Sequence, residues 1–488
     1  MSIFKKSLCL LLAAVMVVGL AACAGGGQPD DTQYRPPYEQ KEEVAEAFVD
    51  TDGDFDYKTE AWDGPEGYVI VIPTGDSVAK TAADYLQDYF TRVQGITIPI
   101  VTDSSAAKDK EILIGNTKRG LADTSLKENE LKCELKSGKL VFSGGHEMMV
   151  EAAVKRFCRV FPKKNEAATF TVATNFTTTL SIEGLEDYYY VWGDEFEDWY
   201  DLDFGKWNFR MGMSGPESMI VAKDRDVVDI GDGRLKIYAI NYFDPATPNV
   251  LFKVPWSTST CATMNFLYGY AEIRARVPFF QGTWPSYWGG TATQVVPRNP
   301  LWHAEVDVFE IFGTEDTVVP NIHKWYDDYP YEDIYNTGGE RHTTYNKKKD
   351  RPSEYALKHY VFENPENLEN EYHTYGYEWT PTEMSYYVDG EKYCTMDIVN
   401  TWDLEKNMSM FQDPQYLQFN SHVFTEDSTF APNLIYDKMD LLPSEYIIDY
   451  FRLYQKKDGK SKIWTDTSQR NQWPSDRIQT VEEVLAKQ

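Results

Sequence analysis

Two periodicities divide this chain. Between Gly67 and Thr179, apolar runs of strand length alternate with helical spacing. Tyr68-Val69-Ile70-Val71-Ile72-Pro73 predicts a buried strand, and Val78 to Val93 carries Ala82, Tyr85, Leu86 and Tyr89 at helical positions. Strand patterns return at Ile96 to Val101 and at Glu111-Ile112-Leu113-Ile114-Gly115-Asn116. These elements predict a small α/β domain over 64–182. From 188 to 456 the pattern becomes many short runs rich in Tyr, Val, Ile and Phe, punctuated by turn signals such as Gly231-Asp232-Gly233 and Asp389-Gly390. Such a run of short strands with few helical stretches predicts an antiparallel sandwich.

Within that region, Trp302-His303-Ala304-Glu305-Val306-Asp307-Val308-Phe309-Glu310-Ile311-Phe312 sets three carboxylates into an apolar, strand-prone run. On a regular strand Glu305 and Asp307 share a face and Glu310 points away. One β-bulge, most simply at Val308-Phe309, returns Glu310 to the face of the other two. Three acids crowded into one place keep at least one of them protonated near neutral pH, because full ionisation is disfavoured. A pair of carboxyls about 5 to 5.5 Å apart, one ionised and one protonated, is the apparatus of retaining glycoside hydrolysis. The plain alternative is a solvated acidic edge strand, against which stand Val306, Val308, Ile311 and Phe312.

The hexapeptide Glu305 to Glu310 resembles the bulged E-x-D-x-x-E signature of glycoside hydrolase family 16, in its laminarinase-like branch. Other segments follow in that family's order. Trp192-Gly193-Asp194-Glu195-Phe196 resembles the opening D-E-F, Lys206-Trp207-Asn208 the K-W after it, and Gly282-Thr283-Trp284-Pro285-Ser286-Tyr287-Trp288 the G-x-W-P-x-x-W element. His373 to Pro381, Tyr387 to Gly390, and Asp449 to Tyr454 resemble the later hairpin and closing strand, so the likeness covers about 188 to 456. It implies an all-β jelly-roll sandwich as catalytic domain, with Glu305 as nucleophile, Asp307 as the modulator between the acids and Glu310 as general acid/base. The N-terminal region is more loosely similar to the small α/β domain that precedes the catalytic domain of some other glycosidases, through the I-G-N turn, Leu140 to Gly145 and Met148 to Phe161.

Strand alternation nominates the substrate contacts. Trp284 and Trp288 share a face, and both a sugar-stacking platform and core packing satisfy that geometry. Tyr270, Glu272, Arg274 and Arg276 share a face opposite Ala271, Ile273 and Ala275. The resemblance implies hydroxyl contacts for Glu272 and Arg274, whereas a mutual ion pair is the alternative. Gln418 and Asn420 alternate with Leu417 and Phe419, and His323 matches the place of a cleft histidine in the family. The resemblance also implies a structural Ca²⁺ at Asp449 and Gly233, and no cofactor for catalysis. The family commonly has glycine or aspartate just before the nucleophile; this chain has His303-Ala304, a departure that bears on substrate choice. The long connection Tyr326 to Tyr360 is expected to form a cleft rim.

Charge and the chain ends narrow the partners. A net charge of −29 over 488 residues opposes nucleic-acid binding and favours a neutral polysaccharide. Lys5 and Lys6 precede the apolar run Leu8 to Leu20, a signal-peptide pattern too short for a membrane span. Leu20-Ala21-Ala22-Cys23 resembles a bacterial lipobox, which implies cleavage after 22, lipidation of Cys23 and membrane attachment at the cell surface, with 23–63 as a polar tether. The tail 457–488 carries Trp464 and Trp473, placed either to cap the sandwich or to dock the α/β domain. Cys133, Cys158, Cys261 and Cys394 leave disulfides and buried thiols equally open. The expectation is a monomeric retaining endo-β-glucanase for β-1,3 or mixed β-1,3/1,4 glucan. An endo-galactanase of agarase or porphyranase type, or a non-catalytic glycan-binding lipoprotein, are the alternatives.

Overall fold

The computed structural model describes residues 58–160, 170–174, 182–196, 202–203, 205–210, 219–223, 225–231, 233–242, 244–261, 263–292, 302–313, 317–326, 341–344, 359–398, 411–425 and 434–465. Cys23, Trp473, the lipobox, the tether up to residue 57 and most of the 326–360 connection lie outside these residues; the last part of the expected tether is instead folded, since Lys58–Trp62 pairs antiparallel with Phe170–Thr174 and Trp62 is buried.

The N-terminal layer is a five-stranded sheet. Ile100–Thr102, Val69–Ile72, Glu111–Ile114 and Lys139–Gly144 run parallel in that order, and Leu131–Lys136 closes the edge antiparallel to the last. Every residue of Val69–Ile72 and Glu111–Ile114 is buried, as expected of parallel strands covered on both faces. Helix Ser77–Tyr89 begins where the Asp76 carboxylate accepts the Ala79 amide at 2.9 Å, and it buries Ala79, Ala82, Ala83, Leu86 and Tyr89. Its continuation through Phe90–Gln94 stops at Gly95, whose φ of +70° suits glycine at a helix end. The second helix is Glu147–Val160.

The rest is a jelly-roll sandwich of two sheets with ten strands each. One sheet contains Gly269–Arg276, Ser444–Lys456, Arg234–Asn241, His373–Trp379 and Tyr188–Asp194; the other contains Thr317–Tyr326, Trp302–Glu310, Thr283–Thr291 and Gln415–Val423 as consecutive neighbours. Aromatic rings fill the space between the sheets. Phe309 lies 4.6 Å from Tyr375, and Trp207 sits 5.3 Å from Phe419 and 5.7 Å from Phe451. Ala271, Ile273 and Ala275 face this core with no exposure, which turns Tyr270, Glu272 and Arg274 to the outer face of the first sheet.

That outer face is where the N-terminal layer packs. Tyr188, Tyr190, Tyr270, Tyr387 and Tyr454 join Phe142, Phe157 and Leu131 in one buried cluster. The Asn129 side chain completes the contact as a surrogate strand partner: its Nδ2 donates to the Tyr188 carbonyl at 2.7 Å, and its Oδ1 accepts the Tyr190 amide at 2.8 Å.

The segment Asp194-Glu195-Phe196 serves to staple the sandwich. Asp194 accepts from Trp207 Nε1 at 2.7 Å and from the Phe196 amide at 3.0 Å, while Glu195 takes a two-pronged pair from Arg452 at 2.8 and 2.9 Å. The sandwich also runs past residue 456, because Lys462–Trp464 pairs with Asn265–Leu267 and Trp464 is buried. Cys133, Cys158, Cys261 and Cys394 are all buried as thiols.

Candidate active site

The Trp302–Glu310 strand pairs with Thr283–Thr291 on one side and Thr317–Tyr326 on the other. Against the first neighbour, Trp288 pairs with Asp307 and Tyr287 with Phe309, so Val308 is skipped. Against the second, Asp307 pairs with Asn321 and Glu310 with Val319. The bulge therefore occupies Val308-Phe309, and it sends Phe309 into the core while Glu305, Asp307 and Glu310 emerge on the opposite face.

Cross-strand rows extend that face. Glu305 lies opposite Gly290, Asp307 opposite Trp288 and then Gln418, and Glu310 opposite Ser286 and then Asn420. A Cβ at Gly290 would meet the Ala304 carbonyl at 2.6 Å, so glycine is required for the backbone beside Glu305 to approach this closely. His323 comes from the neighbouring strand and bridges two acids: its Nε2 is 2.8 Å from Asp307 Oδ2 and 3.8 Å from Glu305 Oε1. Asp307 is buried to 3% exposure, whereas the Glu305 side chain keeps 26%.

These surroundings separate the acids by role. Burial pushes Asp307 up to about 8. Burial also pushes Glu310 up to about 8, helped by the charges of Asp307 and Glu305 and opposed by His323 and by the Trp284 indole, which donates to Glu310 Oε1 at 3.0 Å. The two carboxyls titrate as a unit and hold protons at neutral pH. Glu305 and Glu310 are both partly open to solvent, one on each side of the sealed Asp307.

The nominated binding residues separate into three groups. Trp284 is half-buried and stacked on Phe424 at 4.8 Å with an interplanar angle of 5°, so one of its faces is covered by protein and its N–H holds the acid. Trp288 is half-buried on the acidic face, and its Nε1 donates to Asn420 Oδ1, which also accepts from Ser286 Oγ at 3.0 Å. Gln418 shares this face but is fully buried, which corrects its nomination as an exposed contact.

Glu272 and Arg274 are also corrected. They lie on the outer face of the other sheet, where Glu272 accepts from Tyr270 and Tyr450 hydroxyls at 2.6 and 2.8 Å, and Arg274 donates to Asp449 at 2.7 Å. Alternation rightly put these residues on one face; the expected contacts came from the resemblance, and that face belongs to the sheet without the acids. Asn321 and Phe424 were missed. Asn321 is two residues before His323 on the same strand, so alternation would have found it; Phe424 adjoins the acid only through the fold.

The calcium expectation fails on the donor set. Asp449 is bound by Arg274, and the guanidinium carbons of Arg234, Arg274 and Arg276 lie 5.4, 4.3 and 5.2 Å from the Tyr372 ring beside it. A divalent cation would enter a pocket of fixed positive charge. Gly233, with φ of +69°, serves the turn into Arg234–Asn241. Among the described residues, Glu305, Asp307 and His323 alone bring metal-ligating atoms within 4.8 Å of one another, and the same atoms form the acid–base set, whose chemistry calls for no cofactor.

Residues 250–431, which include all three acids, match the family model of glycosyl hydrolases family 16. The match lies within the sandwich and spans the acidic strand, so this part of the chain resembles the glycoside hydrolases of that family. Glucan endo-1,3-beta-glucosidase A1 of Niallia circulans is 24% identical over 290 residues, covering 55% of this chain and 38% of that protein. Endo-1,3-1,4-beta-glycanase ExsH of Rhizobium meliloti (strain 1021) is 27% identical over 163 residues, covering 33% of this chain and 26% of that protein. The chain thus spans well under two thirds of either relative's length. Among solved structures, the laminarinase from Rhodothermus marinus is 24% identical, covers 56% of this chain and 98% of its own, and superposes with a TM-score of 0.41.

The buried acids tie stability to pH. Their folded values near 8 lie above the ordinary 3.8 of Asp and 4.5 of Glu, so between about pH 4 and 8 the native chain holds protons that the unfolded chain has released. Unfolding free energy accordingly falls as pH rises through that window. Urea midpoints at pH 5 and pH 8 measure the fall, and Asp307→Asn is expected to shrink it; an unchanged difference in the variant sinks the assignment.

Proposed function

We propose that the chain is a retaining endo-β-glucanase that cleaves β-1,3 or mixed β-1,3/1,4 glucan. One observation carries this reading: three carboxyls share one face of a bulged strand, with burial and like charge keeping Glu310 protonated while Glu305 remains open to solvent. In the first step the Glu305 carboxylate attacks the anomeric carbon and the C–O bond to the leaving sugar breaks. Glu310 gives its proton to the departing oxygen, and a glycosyl ester on Glu305 results. In the second step Glu310, now ionised, takes a proton from water as that water attacks the same carbon and expels Glu305. Two inversions leave the β configuration intact. Asp307, held by His323, keeps its proton or its hydrogen bond next to both acids and so limits the charge change each must bear.

The choice of β-glucan is supported by the names of the two sequence relatives, a glucan endo-1,3-beta-glucosidase and an endo-1,3-1,4-beta-glycanase. Attachment at the cell surface is supported by Lys5, Lys6, the 8–20 apolar run and Leu20 to Cys23.

Digestion of laminarin and mixed-linkage glucan followed by NMR tests the activity. New β-configured reducing ends are expected from the wild type and none from Glu305→Gln, whereas initial α product, or equal release by the variant, overturns the mechanism. The pH profile tests the donor. Activity is expected to decline as pH rises past about 8. The Trp284 N–H favours ionised Glu310, so Trp284→Phe should move that decline to higher pH; a decline that stays put, or moves lower, removes Glu310 from the role. For anchoring, Cys23→Ala should shift the protein from the membrane fraction to the soluble one, and retention in the membrane fraction argues against lipidation there.

A further inference from the structure

A second cleft, of about 1010 Å³, lies between the N-terminal layer and the first strand of the sandwich. Tyr188–Asp194 belongs to the sheet opposite the one that carries the acids, so this cleft is separate from the catalytic face. Tyr85, His146, Glu151, Tyr189, Trp192 and Lys206 are among its walls.

Most of its charged side chains are paired within the wall, and the further carboxylates of Glu147 and Asp203 would repel an anion. Glu151 lies 3.2 Å from Lys155 Nζ and 3.6 Å from Lys206 Nζ; burial alone would push its carboxyl up, but the two lysines outweigh burial and hold it at about 2. Lys457 Nζ pairs with Glu128 at 2.6 Å. A charged ligand would have to break these pairs, so the cleft suits an uncharged one.

Two groups remain to meet such a ligand. Tyr189 is half-buried, its ring set edge-to-face against His146 at 5.8 Å and 89°, with Lys457 Nζ 4.8 Å from its centroid. His146 Nδ1 accepts the Met148 amide at 3.3 Å, which puts the imidazole proton on Nε2. Nε2 is buried and meets no acceptor among the described residues. Burial lowers the pKa of this histidine, leaving a neutral donor at neutral pH. An aromatic ring beside a neutral, directional donor, in a cleft whose cations are paired with its own acids, matches a sugar's apolar C–H face and its hydroxyl edge.

We propose that this cleft is a second, non-catalytic binding site for a neutral oligosaccharide, with Tyr189 as the stacking ring and His146 Nε2–H as the donor to a hydroxyl. That the sugar is the β-glucan cleaved by the sandwich rests on the function proposed above; the existence of the site does not.

Calorimetric titration of full-length Glu305→Gln with laminarihexaose, cellohexaose and neoagarohexaose tests it. Two classes of site are expected for at least one sugar. Adding Tyr189→Ala or His146→Ala should weaken one class roughly tenfold, about 1.4 kcal/mol, and leave the other in place. Adding Tyr189→Phe should retain both, which controls for folding. Turnover of a short soluble substrate by Tyr189→Ala in the otherwise native chain should equal the wild type. Binding classes in Glu305→Gln that neither substitution weakens, for every sugar, overturn the proposal. Should the wild type cleave no glucan while Tyr189→Ala still removes a binding class, the catalytic reading fails and the second site stands.

Discussion

One extra residue in the Trp302–Glu310 strand governs the chemistry of this molecule. Without the bulge at Val308-Phe309, Glu310 would enter the aromatic core between the sheets, where an acid has no partner, and Phe309 would stand on the acidic face. With it, the core keeps its ring at 4.6 Å from Tyr375 and the face gains its third carboxyl. Packing and catalysis thus pin the same irregularity.

Crowding three acids is costly, and the surroundings divide that cost unequally. Asp307 is nearly sealed and leans on His323, Glu310 is half-buried and accepts the Trp284 indole N–H, and Glu305 stays partly wet. Three chemically near-identical groups thus meet different surroundings, a division set by burial and hydrogen bonding on which the roles proposed for Glu305 and Glu310 rest. The stack of Trp284 on Phe424 fixes the indole that holds the acid, so an aromatic pair sets an electrostatic property.

The outer sheet has a different role. Its face carries tyrosines into the N-terminal layer, seats Glu272 between two tyrosine hydroxyls, and neutralises Asp449 with Arg274. A guanidinium on the chain itself stands where a bound cation was expected. Because the N-terminal layer covers part of this face through Asn129 and the tyrosine cluster, the two parts share one core and enclose the second cleft between them.

Local pattern was enough for much of this. The strand at 68–73, the helix from Val78, the strand at 111–116 and the acidic strand with its bulge were all legible, because periodicity and the incompatibility of acids with a core operate within a few residues. Alternation likewise put Trp284 with Trp288 and Gln418 with Asn420, while strand pairing brought both pairs to the face of the acids. The resemblance failed for Glu272 and Arg274, since two strands with similar patterns can belong to opposite sheets, and only long-range pairing decides which. The meeting of His323 with Asp307, the covering of one face of Trp284 by Phe424, the burial of Gln418 and the sharing of a core by two patterns some 100 residues apart depend on contacts distant in sequence. The sequence by itself determined which residues could do chemistry; the tertiary structure decided which of them meet, because side-chain periodicity is local and the pairing of sheets is not.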